Sequence, residues 1–120
     1  MAIESFEQLE VWKAAHQLVL AVYRNAQNLP SDEKFGLISQ MRRASVSIPA
    51  NIAEGFKRRG QADKIHFYNM AQGSLEEIRY YCILCRDLGF RLEFDSLLEQ
   101  AKQVARMLQG LINAVEKRTR

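Results

Sequence analysis

Helical periodicity along almost the whole chain is the feature that most constrains its fold. Apolar residues recur at spacings of three and four, and no stretch alternates convincingly between apolar and polar residues. The 120 residues include only two prolines and six glycines, so the chain has few positions at which it can turn. A chain of this length with few turns is predicted to form a small number of long helices.

The pattern divides into four helical segments. They run from Phe6 to Asn28, from Ser31 to about Gly55, from Ala62 to Leu88, and from Asp95 or Ser96 to Lys117. Short connections favour antiparallel neighbours. The sequence therefore predicts an all-α fold, an antiparallel up-down-up-down four-helix bundle that forms one domain over residues 1–120.

Local signals support these boundaries. Ser5 and Gln8 have the spacing of a capping box at the start of the first segment, and Ser96 and Glu99 have it at the start of the fourth. Gly89 follows the third segment, where a left-handed glycine commonly ends a helix. We therefore expect helices to begin and end at these residues.

The first and fourth segments carry apolar arcs that are wider than a seam between two helices requires. Such an arc is explained by the core face of a bundle helix. It is equally explained if part of it contacts another subunit, which would make the protein a homo-oligomer. The composition does not distinguish these two interpretations.

Polar residues interrupt the apolar faces of the second and third segments. Asn51 and Glu54 lie along the second, and Ser74 and Glu77 along the third. A buried carboxylate must be hydrogen-bonded or lose its charge. We therefore predict that these four residues form a structural polar network between the two helices, which would fix their register.

No arrangement of residues indicates an enzyme, a metal site or a cofactor. Cys82 and Cys85 have the CxxC spacing, but His16 and His66 lack the paired spacing that would complete a zinc site. Both cysteines lie on a helical core stripe, where cysteine packs as a small hydrophobic residue. A third interpretation is an enzyme that uses Glu54 and Glu77 as paired carboxylates for general acid–base chemistry. No nucleotide-binding loop, Ser-His-Asp set or metal-ligand cluster accompanies these two residues.

Basic residues cluster at the turn between the second and third segments. The formal net charge is +3, so the distribution of charge matters more than its sum. The candidate nucleic-acid-binding residues are Arg42, Arg43, Lys57, Arg58, Arg59, Lys64, Lys117 and Arg118, with Arg120 after them. Such a basic corner attracts phosphates. The alternative interpretation is a solvated surface on which cations complement helix dipoles.

The sequence also predicts a location. No apolar run approaches the ~20 residues that span a bilayer. The segment MAIESFEQLEVWK has neither the basic start nor the apolar core of a signal peptide. We therefore expect a cytoplasmic protein.

The segments QMRRASVSIPANIAEG, FYNMAQGSLEEIRYY and FEQLEVWKAAHQLVLAVY resemble the four-helix-bundle proteins encoded by intervening sequences in bacterial 23S ribosomal RNA genes, misnamed S23 ribosomal proteins. NIAEG and GSLEE, at residues 51–55 and 73–77, are the most specific segments. The resemblance extends over nearly the whole chain. A related branch of the family that the chain resembles is the accessory variability determinant proteins of diversity-generating retroelements.

The resemblance implies a homopentameric ring of up-down bundles without enzymatic activity. It also implies a nucleic-acid partner, RNA or DNA, and in the retroelement branch a reverse transcriptase. We therefore expect a homo-oligomeric RNA-binding adaptor. The alternative is a structural or protein-binding oligomer with no nucleic-acid role.

Overall fold

A computed structural model describes residues 2–118. Within this range the chain is helical and contains no strand. Four α-helices account for most of it: α1, Glu10–Ala26; α2, Ser39–Lys57; α3, Gln61–Asp87; and α4, Phe94–Lys117. The predicted all-α four-helix bundle is confirmed.

The helices form a closed bundle. Helix α1 packs on α2 and α4, α3 packs on α2 and α4, and the contact between α2 and α3 is the most extensive. The described residues fill an elongated shape of 49 × 24 × 22 Å. Large side chains such as Leu18, Ile48, Ile78 and Leu108 are fully buried between the helices. Burial of each such side chain contributes roughly 1.5–3 kcal/mol.

The first predicted segment is interrupted near its start. Ser5 and Gln8 do form the predicted capping box, but the helix they cap is a 3₁₀ turn, Phe6–Gln8. Leu9 then takes an extended conformation, with ψ 127°, before α1 begins. Its side chain is buried and belongs to the core.

The second predicted segment begins with two short turns that are not α-helical. A 3₁₀ turn, Ser31–Glu33, and a π-helical turn, Lys34–Ile38, precede α2. The Glu33 carboxylate caps the π turn by accepting from the backbone N–H of Leu37 at 3.4 Å. From Ser39 onward, α2 continues through Pro49 to Lys57.

The predicted capping box at Ser96 and Glu99 is wrong, because α4 begins earlier, at Phe94. Two tertiary contacts fix this start. The backbone N–H of Glu93 donates to Oδ1 of buried Asn25 at 2.7 Å, and the Arg86 guanidinium lies over the Phe94 ring at 5.0 Å. By contrast, the predicted stop after α3 agrees with Gly89, whose φ is 78°.

Candidate nucleic-acid interface

A polar cluster joins α2 to α3 near the middle of the bundle. Nδ2 of Asn51 donates to the backbone oxygen of Ser47 at 2.8 Å and to its Oγ at 2.9 Å. The Ser74 hydroxyl donates to the same Ser47 Oγ at 2.9 Å. Ser47, which the sequence analysis missed, is therefore the residue through which Asn51 and Ser74 are linked. Its position one helical turn before Asn51 was the available signal.

The predicted network does not include its two glutamates, and this part of the prediction is wrong. Glu54 is exposed and forms an ion pair with Arg58 at 3.1 Å on the same helix. Glu77 is exposed and accepts a long hydrogen bond, 3.5 Å, from the Tyr81 hydroxyl. Both residues lie at the edge of an apolar arc, where a long side chain can reach water instead of the core.

Basic side chains converge at the end of the bundle where α2 ends, α3 begins and α4 ends. We call this set the basic end: Lys57, Arg58, Arg59, Lys64, Lys117 and Arg118. The connection between α2 and α3 is only three residues long, Arg58 to Gly60. Because α4 is antiparallel to α3, its C-terminus returns to the same end.

Specific contacts hold the basic end together. Nε2 of Gln61 reaches from α3 to the backbone oxygens of Val115 and Glu116, each at 3.4 Å. Nζ of Lys64 donates to the backbone oxygens of Gly55 and Phe56 at 3.2 and 2.8 Å. Lys64 thus caps the C-terminus of α2, where four carbonyl groups lack helical partners.

Lys64 and Arg118 are close enough to repel each other. Burial and, secondarily, the charge of Arg118 lower the pKa of Lys64 below its ordinary value of 10.5. Two cations from different helices therefore face a common region. An anion placed between them would be attracted to both.

Aromatic rings line the basic end, and the sequence analysis did not identify them as part of it. The Arg58 guanidinium lies 4.6 Å from the centre of the Phe67 ring. The Lys64 ammonium lies 5.6 Å from the centre of the Phe56 ring. Such contacts restrict the two cations and keep their charges at the surface of the bundle.

Arg42 and Arg43 do not belong to the basic end. They lie near the start of α2, about 20 Å from Lys57 at 1.5 Å per residue. The Arg42 guanidinium is half-buried over the Tyr23 ring of α1, at 5.1 Å, whereas Arg43 is exposed. The structure therefore groups six of the eight predicted basic residues and separates these two. Arg120 lies outside the described residues.

The outward surface of α3 carries exposed apolar side chains. We call Met70, Tyr80, Ile83 and Leu88 the outer face of α3; they are 45%, 58%, 36% and 52% exposed in the single chain. Larger apolar patches on soluble proteins commonly mark interaction sites. These side chains are spaced along the helix, and Leu88 directly follows its last residue, Asp87.

Both cysteines lie in the core, as predicted. Burial raises the pKa of the Cys82 and Cys85 thiols to about 11. The Cys85 sulfur contacts the Met41 sulfur at 4.0 Å. Across residues 2–118, no group of three or more His, Cys, Asp and Glu side chains is placed to hold a metal ion. No helix in the same range is long and apolar enough to cross a membrane.

Together, the fold and the site define an all-α four-helix-bundle protein with a basic end built from three helix termini. A family model described as 23S rRNA-intervening sequence protein matches residues 7–110. The chain belongs to this family, and its resemblance to the proteins encoded by 23S rRNA intervening sequences is thereby confirmed.

A solved structure has the same fold. It is a protein of unknown function from the S23 ribosomal protein family of Bacteroides thetaiotaomicron, with a TM-score of 0.78 and 22% sequence identity. The match covers 86% of this chain and 95% of that one. A comparison with curated proteins found no match.

Proposed function

We propose that the protein is a non-enzymatic, homo-oligomeric adaptor that binds RNA through its basic end. The observation that carries this proposal is the convergence of six cationic side chains from α2, α3 and α4. Phosphate contacts by lysine and arginine supply most of the sequence-independent affinity for nucleic acids.

The charge balance of the basic end favours a polyanion. Three acidic residues lie at the same end: Glu54, which is paired with Arg58, Asp63 in the first turn of α3, and Glu116 in the last turn of α4. Lys57 and Arg59 are exposed on the same turn, and Arg118 lies near Lys64. Positive charge therefore exceeds negative charge at this end, although the whole chain is only mildly basic.

Self-association would multiply this surface. The outer face of α3 supports contact with a second copy, because four large apolar side chains are exposed there. Resemblance to the family suggests a pentameric ring. In a ring, each subunit would present one basic end in the same direction, and a long RNA could contact several of them at once.

The RNA proposal is tested by replacing Lys57, Arg58 and Arg59 with glutamine. Each contact between a cationic side chain and a phosphate releases counterions from the RNA. Because the variant makes fewer such contacts, it should bind a structured RNA more weakly and with a flatter dependence on salt. Electrophoretic mobility shift at several salt concentrations measures both effects, and DNA of the same sequence shows whether the backbone type matters.

A matched control removes the same number of charges elsewhere, with Arg91, Lys102 and Arg106 replaced by glutamine. These residues are exposed and lie away from the basic end. Circular dichroism establishes that both variants are folded. Equal affinity and equal salt slope for the two variants would refute the basic end as the RNA site.

The outer face of α3 also favours the second candidate function, a structural or protein-binding oligomer without nucleic acid. Replacing Met70 and Tyr80 with aspartate should disperse the oligomer in sedimentation experiments, whereas Leu20→Asp on α1 should not. An oligomer that fails to retain RNA or DNA at low salt would favour this second function. The reverse transcriptase of a diversity-generating retroelement is the protein partner to assay for binding.

A further inference from the structure

A cavity of about 440 Å³ opens at the basic end of the bundle. We call it the end cavity. Its apolar wall is formed by the N-terminal segment, α2 and α4, and includes Ile3, Leu9, Phe56 and Leu111. Its volume lies within the range of about 300–1,000 Å³ that is typical of small-molecule sites.

Three polar side chains share the end cavity with this wall, namely Lys64, Tyr68 and Arg118. No carboxylate is among the described residues that line it. A site with two cationic groups, a hydroxyl and an apolar wall, but no acidic group, is complementary to an anion that carries a hydrocarbon body.

Tyr68 contributes a hydroxyl to the lining of the end cavity. The residue is only 1% exposed, and its ring edge lies close against Gly55 in the adjacent helix. Its hydroxyl forms no hydrogen bond with another group of residues 2–118, and the open cavity leaves it accessible to a ligand. Burial raises the pKa of Tyr68 above its ordinary value, and the charge of Arg118 partly opposes this shift.

Lys64 has a donor to spare. Its ammonium group has three N–H bonds, and two of them are directed at the backbone oxygens of Gly55 and Phe56. These two hydrogen bonds fix the position of the ammonium group at the cavity wall. The third N–H remains for a ligand.

We propose that the end cavity binds a small monoanionic amphiphile, a carboxylate with a short hydrocarbon body. The carboxylate accepts hydrogen bonds from Lys64, Arg118 and the Tyr68 hydroxyl, and the hydrocarbon packs against the apolar wall. This site shares Lys64 and Arg118 with the basic end, whereas the RNA test addresses Lys57, Arg58 and Arg59, which do not line the end cavity.

Hexanoate is the probe that tests the proposal, with 1-hexanol and hexylammonium as matched compounds of the same chain length. Titrations followed by ¹H–¹⁵N NMR should show saturable shifts for residues around the end cavity with hexanoate. The alcohol should bind more weakly because it lacks the charge, and the amine should not bind. Absence of saturable shifts, or equal binding of all three compounds, overturns the proposal.

Tyr68→Phe removes only the hydroxyl and should weaken hexanoate binding about tenfold, the loss of one charge-assisted hydrogen bond. Tyr80→Phe is the matched control, since Tyr80 is an exposed tyrosine on the same helix, and should bind hexanoate as the unmodified protein does. Equal affinities for the two variants would contradict the proposed role of Tyr68.

Ala114→Trp supplies a second test, because Ala114 lines the end cavity and a large side chain there should block it. Folding of each variant is checked by circular dichroism. RNA binding by Tyr68→Phe should be unchanged, so failure of the hexanoate site and failure of the RNA site are distinguishable. Hexanoate bound equally well by Ala114→Trp would place the site elsewhere.

Discussion

The close approach of α2 and α3 at Gly55 leads to a sharp prediction about stability. A β-carbon added at Gly55 would lie 2.5 Å from Cε1 and 2.8 Å from Cδ1 of Tyr68, and 3.2 Å from the β-carbon of Phe67. Real contacts of this kind are essentially never shorter than 3.0 Å. Because Tyr68 is buried and its ring edge faces Gly55, Gly55→Ala must displace either the ring or one of the two helices.

Two opposing effects determine the size of this change. Overpacking of a core costs about 1–3 kcal/mol, whereas replacing glycine by alanine inside a helix contributes about 1 kcal/mol in favour of folding. Gly110→Ala on α4 isolates the second effect, since a β-carbon at Gly110 meets nothing within 4 Å. The difference between the two variants therefore estimates the steric cost alone.

Urea denaturation at a fixed protein concentration measures both variants. We expect Gly110→Ala to stabilise the protein by about 0.5–1 kcal/mol, and Gly55→Ala to be about 1–3 kcal/mol less stable than Gly110→Ala. Tyr68→Phe keeps both ring carbons, so the cost of Gly55→Ala should be the same in that background. Equal stabilities for the two alanine variants would refute the close packing of α2 on α3 at this point.

Two further predictions concern the core. Asn25→Ala should destabilise the protein by about 1–3 kcal/mol and accelerate amide exchange at Glu93, because it removes the buried side chain that accepts the hydrogen bond from the Glu93 N–H. Asn28→Ala, at an exposed position, should change neither. The Cys82 and Cys85 thiols, whose pKa values are raised from 9.0 to about 11, should resist iodoacetamide at pH 8 in the folded protein and react after unfolding in urea. Since the pKa of each thiol is higher in the folded than in the unfolded protein, the contribution of the thiols to stability is complete below about pH 9 and is lost as the pH rises toward 11. Thiols that react with iodoacetamide at the same rate in both states would contradict their burial.

Periodicity predicted the number of helices and their approximate lengths because the core of a bundle requires apolar residues on one face of every helix. It could not predict the break at Leu9 or the start of α4 at Phe94. The start of α4 depends on a hydrogen bond from Glu93 to Asn25, residues that are far apart in the sequence. The capping signal at Ser96 is local, and the helix instead begins at Phe94, next to this tertiary contact.

The polar cluster shows where helical position alone is insufficient. Asn51 and Ser74 lie in it, yet they are linked through Ser47. Glu54 and Glu77 occupy neighbouring positions on the same helices and are exposed. Serine and asparagine have short side chains that cannot leave the interface, whereas a glutamate at the edge of the apolar arc extends to water at little cost.

The basic end itself follows from topology more than from any motif. In an up-down bundle, α2 and α4 end on the same side, and cations are favoured near both of these C-termini by the helix dipoles. This effect accounts for Lys57 and Lys117 without any ligand.

Lys64 does not fit that explanation. It lies in the N-terminal part of α3, where the helix dipole disfavours a cation, and both burial and Arg118 lower its pKa. Its two hydrogen bonds to the end of α2 stabilise the turn but do not require the second cation beside it. An anionic ligand would offset both charges. In the two proposals, RNA contacts the exposed cations Lys57, Arg58 and Arg59, whereas a small carboxylate is held by Lys64 and Arg118 at the end cavity.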